Sequence, residues 1–440
     1  MKLRYPLIGV LACLGLAGCS QQTAPTPTTA TPTEVATEAS AATTEAETEK
    51  ATEPEMTQAP ATGDPVKEWD DTTVSVDYRF DGSDSDPVLK LFKEYAKANE
   101  GKNFVFSPYS IRDALSLLVT SADEEAMKEL QEVLGIPENR ICFEVLDVLS
   151  KEKDGFDVAN KAYLSDALVE GEINTELLRA DDFQTIDMDG DGADVINKWV
   201  AEITKDKIQN LVTKESISES ALVLVNALYF NQQFRKTYED DSILWSDGKY
   251  YASFMGEAGS VDVLEPNEDI DVLRLRYKDT DYSLYIICDN VDSETIGVED
   301  FIKSLSTEEF DALFKEGEKE YDEVTFSVPN FEIEGKGSVT DMLRNLGMKA
   351  TFDSQTSHFS ELGNVYVSDV MHGAYIKTDK TGTEAAGATS VGMEFASAPP
   401  LETLKKIVRA DSPFMFVVRD TKMNTTLFAG MVQEPTTLVD

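Results

Sequence analysis

Histidines, serines and clustered carboxylates are the side chains of this chain that could carry out hydrolytic or metal chemistry. Only two histidines are present, His358 and His372. No serine lies in a Gly-x-Ser-x-Gly turn, and neither histidines nor cysteines have the spacing of metal ligands. The acidic run 187–191 resembles the start of a calcium loop, but position twelve, where a bidentate Glu would bind, is Lys198. We therefore expect neither an enzyme nor a protein with a metal or cofactor.

The segment from Asp379 to Pro400 is patterned as a strand but composed as a loop. Its first half is almost entirely Gly, Ala and Thr, which are small, and Gly and Ala are depleted in sheets. Read with period two, alternate positions form a set that could face a core, namely Thr383, Ala385, Gly387, Thr389, Val391, Met393 and Phe395. This combination predicts a segment that can be either a loop or a strand.

Composition limits the possible partners. The chain has 440 residues, 41% of them hydrophobic, so it can bury a substantial core. Acidic residues number 82 and basic residues 39, giving a net charge of −43. Binding of nucleic acid or of an anionic membrane by the folded part is not expected, because both require basic patches. The charge favours solubility and would also attract a cationic partner.

The N-terminus predicts export and lipid attachment. Lys2 and Arg4 precede an apolar run, 7–16, that is too short for an ordinary spanning helix. The following 16–19, Leu-Ala-Gly-Cys, resembles the bacterial lipoprotein box, which implies cleavage before Cys19 and lipidation of that cysteine. The alternative is an ordinary secretory signal. We expect residues 1–18 to be a signal peptide and the protein to be lipid-anchored to the cell membrane, facing the extracellular side.

Residues 19–70 are predicted to be a disordered linker that follows the lipidated cysteine. From Ser20 to Val66 there is no Phe, Trp, Tyr, Leu or Ile, and Thr, Ala, Glu and Pro dominate. Such a segment cannot bury enough apolar surface to offset the entropy lost on ordering. The folded domain is therefore placed at 71–440.

Helical periodicity dominates the first part of this domain and strand patterns dominate the end. Predicted helices are 87–99, 107–122, 124–134, 191–211 and 338–346. Predicted strands are 221–231, two within 273–288, 324–333, 364–377, 414–419 and 426–432. This order is typical of the α+β class.

Several stretches resemble signatures of the serpin family, and they follow the family's order between about residues 86 and 435. They are Asn103–Ile111, Ile196–Val200 with Thr204 and Lys207–Ile208, Val225–Phe230, Leu343–Met348 with Phe352, Val408–Val418 and Leu427–Pro435. The resemblance implies the serpin fold: helices around a large central β-sheet, two smaller sheets, and an exposed mobile reactive loop at about 380–400.

The resemblance also implies an inhibitory role for this loop. The hinge of inhibitory serpins is matched by Gly382, Thr383, Glu384, Ala385, Ala386, Gly387, Ala388 and Thr389. Family spacing places the reactive bond at Ala396–Ser397. A target serine protease would attack this bond and form a covalent complex, after which the cleaved loop would insert into the main sheet. The resemblance implies that the inhibitor is a monomer, and a non-inhibitory binding protein remains an alternative.

The residues around the reactive bond restrict the target. There is no Lys or Arg between Thr381 and Leu404, so trypsin-like proteases are poor candidates. Ala396 suits the small pocket of elastase-like enzymes. A register shifted by one residue presents Phe395 and would favour chymotrypsin-like enzymes, and Met393 is a further candidate. Papain-like cysteine proteases stay open as targets.

Four residues match the polar cluster that lies where the main sheet of serpins opens. They are Ser107, Ser110, Asn226 and His372, and we expect a buried hydrogen-bond network rather than catalysis. Two features depart from the family pattern. Phe234 replaces a usual Trp, and Lys380 replaces a usual Glu whose basic partner is here Asn330, which suggests that Lys380 contacts another acid.

Overall fold

The computed structural model describes residues 84–136, 155–168, 182–257, 261–292, 297–315, 321–359, 362, 365–383 and 404–439. All of these lie within the unit Val74–Asp440. The signal peptide, the linker and most of the predicted reactive loop lie outside the described residues, and their predicted boundaries stay predictions.

The helices of the described residues are distributed from Ser85 to Leu346. They are α1 Ser85–Ala98, α2 Pro108–Ser116, α3 Glu124–Leu134, α4 Gly192–Ile203, α5 Lys214–Ile217, α6 Val298–Ser304, α7 Thr307–Ala312 and α8 Thr340–Leu346, with a 3-10 turn at Ala350–Phe352. None of the helices described is long and apolar enough to span a bilayer.

Capping residues set the start of α2 and both ends of α3. Ser107 caps α2 by accepting a hydrogen bond from the backbone N–H of Ser110 at 3.1 Å, and Pro108 occupies the first turn. Asp123 caps α3 in the same way, and Gly135 ends α3 in a left-handed conformation with φ of 62°. The start of α2 is therefore fixed beside the sheet by its own sequence.

The strands of the described residues lie between Phe104 and Val432. They are β1 Phe104–Phe106, β2 Phe156–Ser165, β3 Phe183–Ile186, β4 Leu222–Phe230, β5 Gln232–Gln233, β6 Glu239–Leu244, β7 Tyr250–Glu257, β8 Val261–Leu264, β9 Ile270–Arg276, β10 Tyr282–Asp289, β11 Glu323–Pro329, β12 Phe331–Ser338, β13 Val367–Asp379, β14 Gly382–Thr383, β15 Lys405–Arg409, β16 Phe414–Asp420 and β17 Thr425–Val432.

These strands form three sheets. A six-stranded sheet has the order β1-β17-β16-β10-β9-β8, and a four-stranded sheet has the order β15-β11-β7-β6. The seven-stranded main sheet has the order β3-β2-β4-β13-β14-β5, with β12 paired to β13. Helices around one large and two smaller sheets confirm the predicted α+β architecture.

The central strand β4 is buried along its whole length because both of its faces are covered. On one face, Leu222 and Leu224 belong to a first apolar cluster, and Leu228 and Phe230 belong to a second. On the other face, Val223, Val225 and Ala227 pack under α4 in a third cluster. Asn226 shares the first face and lies between its two clusters. The strand therefore carries one polar side chain into an otherwise apolar layer.

Three predicted elements have different bounds in the structure. Helix α4 ends at Ile203, because Thr204 Oγ1 donates to the carbonyl of Val200 and accepts from the N–H of Ile208. Helix α2 ends at Ser116, where the chain tightens into i→i−3 hydrogen bonds. The predicted strand 324–333 is two strands, β11 and β12. The break falls at Asn330, directly after Pro329, which ends β11 and has no N–H to continue a ladder.

Candidate functional site: the hinge and the fork of the main sheet

The first two hinge residues form a short strand rather than leaving the sheet. After β13 ends at Asp379, the chain reverses over Lys380 and Thr381, and β14 runs back antiparallel to β13. The carboxylate of Asp379 closes this turn by accepting from the backbone N–H of Thr381 at 2.8 Å and from its hydroxyl at 2.5 Å. The predicted reactive loop therefore begins as the second strand of a hairpin.

Strand β14 lies in a fork at one end of the main sheet. Strands β4 and β13 are parallel and paired directly from Val367 to Ala374 of β13, and we call this pairing the seam. Beyond the seam β14 lies between β13 and β5, with Thr383 opposite both Thr378 and Gln232. The hinge thus occupies the point where the two central strands separate.

The fork leaves no space for a side chain at Gly382. Its φ is +152°, and a Cβ atom there would lie 2.2 Å from the carbonyl oxygen of Gln232. A residue with a Cβ would have to displace backbone, so glycine is required for this close approach. The neighbouring Thr383 is fully buried.

The four predicted polar residues come together beside the seam. The backbone N–H of Ser107 donates to His372 Nε2 at 3.0 Å, and His372 Nδ1 bonds to Asn226 Oδ1 at 3.0 Å. The hydroxyl of Ser110 also donates to Asn226 Oδ1. Since Nε2 accepts, the proton of the neutral imidazole resides on Nδ1. The hydrogen bond between His372 and Asn226 therefore crosses the seam.

Two further residues extend this network. Asn226 Nδ2 donates to Asn160 Oδ1 on β2, and Asn160 Nδ2 donates to a carboxylate oxygen of Asp113 on α2. Asn160, Asn226 and His372 occupy the same row across three neighbouring strands. Sequence reasoning missed Asn160 and Asp113, because no predicted element covered β2 and the register was needed to align them.

Burial decides the protonation of His372. The side chain is 1% exposed, and desolvation of the charged form lowers the pKa of His372 to about 3. The imidazole is therefore neutral at neutral pH and acts as a hydrogen-bonding member of the network. None of the described residues places a nucleophilic serine against it in a catalytic arrangement, since its two partners are a backbone N–H and an amide oxygen.

The turn residue Lys380 contacts an acid on another sheet. Its Nζ forms an ion pair with Asp240 on β6, and the two side chains are 38% and 73% exposed. Asn330 does not take part, and its backbone N–H donates to the carbonyl of Ala252 at 2.8 Å. Because solvent screens so exposed a pair, its contribution to stability is small, about 0–1 kcal/mol.

A buried ion pair holds the strand that follows the loop. Lys406 on β15 lies 2.7 Å from Asp271 and 2.7 Å from Glu265, and Asp271 is fully buried. Burial alone would lower the pKa of Lys406, but the hydrogen bonds to Asp271 and Glu265 outweigh it and raise that pKa above its usual value. Lys406 therefore stays charged and anchors β15 at its pairing with β11.

Comparison with known proteins decides the family. The family described as Serpin (serine protease inhibitor) matches residues 84–435. This chain belongs to the serpin family. The protein Iripin-3, from Ixodes ricinus, is 30% identical over 370 residues, covering 76% of this chain and 90% of Iripin-3. A serpin-like protein of Methanosarcina mazei is 27% identical over 358 residues, covering 76% of this chain and 82% of that protein.

A solved structure agrees with this assignment. The native state of the thermophilic serpin tengpin superposes with a TM-score of 0.67, covering 80% of this chain and 93% of tengpin at 24% identity. The predicted serpin fold is thus confirmed. The remaining predicted site residues of this serpin lie outside the described residues, namely Cys19, Glu384, Ala385, Ala386, Gly387, Ala388, Thr389, Phe395, Ala396 and Ser397.

Acid should destabilise this serpin through His372. The unfolded imidazole has a pKa near 6.5 and the folded one about 3, so the unfolded state binds more protons between these values. Stability is then lost as pH falls from about 6.5 towards 3, and His372 alone should cost about 2 kcal/mol at pH 5 relative to pH 7. Urea unfolding of the wild type and of His372→Gln at both pH values measures the contribution of His372 to the change in the free energy of unfolding.

The expected outcome is a smaller loss between pH 7 and pH 5 in His372→Gln than in the wild type. Equal losses in the wild type and in His372→Gln would contradict the assignment of this contribution to His372.

Removing the ammonium group of Lys406 should destabilise the protein far more than removing that of its neighbour. Lys406→Met leaves the buried carboxylate of Asp271 without this cation, and losing one partner of a buried pair costs about 3–5 kcal/mol. Lys405 pairs with Glu323 on the surface, so Lys405→Met should cost about 0–1 kcal/mol. The urea midpoints of the two variants make the comparison, and similar midpoints would refute the anchoring role of Lys406.

Proposed function

We propose that this serpin is an irreversible suicide-substrate inhibitor of serine proteases that acts by acyl-enzyme trapping and loop insertion. The observation that carries the proposal is the register of β14. Thr383 is opposite Thr378 on β13 and Gln232 on β5. If this antiparallel pairing continued beyond Thr383, the loop would pair with β13 on one side and with β5 and β4 on the other. Each step of two residues forward along the loop would then move its partners two residues back along both neighbours.

In this register the loop would enter the seam between residues of β4 and β13 that are already paired with each other. Gly387 would lie between Ala374 and Leu228, and these two are paired in the seam. Thr389 would lie between His372 and Asn226, which are paired as well. Insertion then needs no sliding of β4 against β13, only their separation around a new strand.

Insertion would break the hydrogen bond between His372 and Asn226 and offer a replacement. Thr389 is the residue that this register would bring between them, and its hydroxyl can both donate and accept. In the same register, every second side chain from Thr383 to Phe395 would point towards one face of the sheet. The small residues Ala385 and Gly387 would enter the seam first, where a larger side chain would overpack the core.

The chemical step would begin when the protease serine attacks the carbonyl carbon of Ala396. An ester bond to the serine Oγ forms, the C–N bond to Ser397 breaks, and the serine proton ends on the released amine. The new end at residue 396 is then free to travel. About fourteen inserted residues at roughly 3.3 Å each would carry the bound protease about 45 Å, which would distort it before water could cleave the ester.

The residue before the cut favours an elastase-like target, because Ala396 is small and apolar. A cut after Phe395 would instead favour chymotrypsin-like enzymes, and papain-like cysteine proteases form a third class to be tested. We propose further that the inhibitor acts as a monomer.

Complex formation with elastase tests the inhibitory function. The wild-type protein should give a complex that survives SDS, and mass spectrometry should place the cut after Ala396. Thr383→Arg should convert the inhibitor into a substrate, because a guanidinium buried at the fork would lack partners. Glu384→Arg is the matched control, since period two turns residue 384 away from that position, and it should still form complexes.

The outcomes separate the alternatives. Cleavage without a stable complex for every protease in a panel of elastase, chymotrypsin and papain would refute inhibition and favour a non-inhibitory binding protein. Complexes formed equally well by Thr383→Arg would refute the insertion mechanism. A complex with chymotrypsin alone would move the reactive bond to Phe395.

We also propose that a lipid on Cys19 tethers the inhibitor to the outside of the cell membrane, with 19–70 as the spacer. The support is the short apolar run after Lys2 and Arg4 and the box that ends at Cys19. In a bacterial host, labelled palmitate should be incorporated into the wild type, and Cys19→Ser should lose the label. Incorporation by Cys19→Ser, or none by the wild type, would overturn the anchor.

A further inference from the structure

Three buried hydroxyl groups meet at the fork around the first inserted threonine. Tyr277 Oη lies 2.5 Å from Thr383 Oγ1, and Thr378 Oγ1 lies 3.2 Å from the same atom. All three side chains are at most 1% exposed. Each hydroxyl can donate once and also accept, so Thr383 can accept from one of its two neighbours and donate to the other.

Tyr277 comes from a different sheet, immediately after β9, and its position is rigid. Its ring stacks on Phe234 with centroids 5.1 Å apart and meets Phe230 edge to face at 5.2 Å. Its backbone N–H donates to the carbonyl of Tyr282 at 3.1 Å. The hydroxyl is therefore presented to the fork at a fixed place, so little freedom is lost when Thr383 docks against it.

Two backbone hydrogen bonds report whether the hairpin is docked. The N–H of Phe234 donates to the carbonyl of Thr381 at 2.9 Å, and the N–H of Tyr238 donates to the carbonyl of Lys380 at 2.9 Å. Both donors lie on the chain that flanks the fork and both acceptors lie in the turn. If the hairpin leaves the fork, these two amides lose their partners together.

We propose that Tyr277 is a positioning residue of the reactive loop, whose hydroxyl holds Thr383 docked in the fork so that insertion continues from a strand that has already started. The proposal rests on the proposed inhibitory function. Tyr277 is part of neither the hinge nor the polar cluster beside the seam, and its phenol group acts on the loop only through Thr383.

Docking matters because insertion competes with hydrolysis of the acyl-enzyme. A docked hinge already has its first pairings on both sides, so the next residues can enter the seam directly. An undocked hinge must first return to the fork, and the rate of insertion is reduced by the fraction of molecules that are undocked. Slower insertion gives water more time to cleave the ester, and more inhibitor is then consumed as substrate.

The test uses the full chain with Tyr277→Phe, which keeps the ring and removes the hydroxyl. Amide hydrogen exchange at Phe234 and Tyr238 should become about fivefold faster, which is the effect of losing one typical net hydrogen bond on a local opening equilibrium. With elastase, more moles of inhibitor should be consumed per mole of protease inactivated, while the rate of loop cleavage stays at the wild-type value.

A second variant and a matched control keep the test decisive. Thr383→Val removes the Thr383 hydroxyl, and with it the contacts to Tyr277 and Thr378, with little change of shape. The double variant should exchange no faster than the faster single variant, because the contact that Tyr277→Phe removes is already absent in Thr383→Val. Tyr163→Phe removes the hydroxyl of a tyrosine on β2 of the main sheet that is 1% exposed, and it should behave as the wild type at both amides.

Hydrogen exchange and inhibition can fail separately. Wild-type exchange at Phe234 and Tyr238 in Tyr277→Phe would overturn the role of Tyr277, whether or not the protein inhibits elastase. Faster exchange with an unchanged amount of inhibitor consumed would overturn the link between docking and insertion. Absence of any complex in the wild type would refute the proposed function, while exchange would still decide whether Tyr277 holds the hinge.

Discussion

The parallel pairing of β4 with β13 is the constraint on which the rest of this structure depends. These two central strands are joined directly along the seam, yet they separate at one end, where the hinge strand β14 lies between β13 and β5. A seam that stays closed needs interactions that cross it, and a sheet that accepts another strand needs those interactions to be replaceable. If the loop inserts as proposed, both requirements apply to this sheet.

The polar network beside the seam combines both requirements. Apolar side chains on β4 and β13 bury surface whether the strands are adjacent or separated by a similar apolar strand, so they do little to specify the closed arrangement. The hydrogen bond between His372 and Asn226 is directional and is satisfied only when the two strands are neighbours or when another polar group intervenes. Because this hydrogen bond lies between two apolar clusters, separating His372 from Asn226 without a replacement would leave buried polar atoms unpaired, which is costly in free energy.

The two ends of the loop are held by different physical means. At the hinge, close backbone approach at Gly382, buried hydroxyls at Thr383 and an exposed ion pair between Lys380 and Asp240 hold a short hairpin. At the far end, Lys406 forms a buried ion pair beneath an edge strand. The hinge contacts are individually modest, whereas the far anchor is costly to break. The proposed insertion would therefore break weaker contacts at the hinge than those that hold β15 in its sheet.

The departures from the family pattern become understandable at this level. Lys380 replaces a usual Glu, and its ion pair is made with Asp240 on β6 rather than with the residue at Asn330. Phe234 replaces a usual Trp, and it stacks on the ring of Tyr277 that faces the hinge. Both changes fall on the few residues that surround the fork, so they alter how the hinge is held while leaving the architecture of the sheets intact.

The sequence by itself determined the α+β class, the family, most of the described helices, about half of the described strands, and the four polar residues beside the seam. The class and the predicted elements follow from local periodicity and composition, whereas the family and the four polar residues follow from the resemblance of contiguous motifs to serpin signatures. The division of 324–333 into β11 and β12 also had a local sign, Pro329, which the periodicity obscured.

Only the tertiary structure decided which distant residues meet. Asn160 joins Asn226 and His372 because three strands align in one register, and Tyr277 reaches Thr383 because a hairpin of one sheet abuts the fork of another. Lys380 forms an ion pair with Asp240, and Lys406 forms one with Asp271, in each case with a residue of another strand. No spacing along the chain encodes these contacts, because strand order and register are settled by the packing of the whole domain.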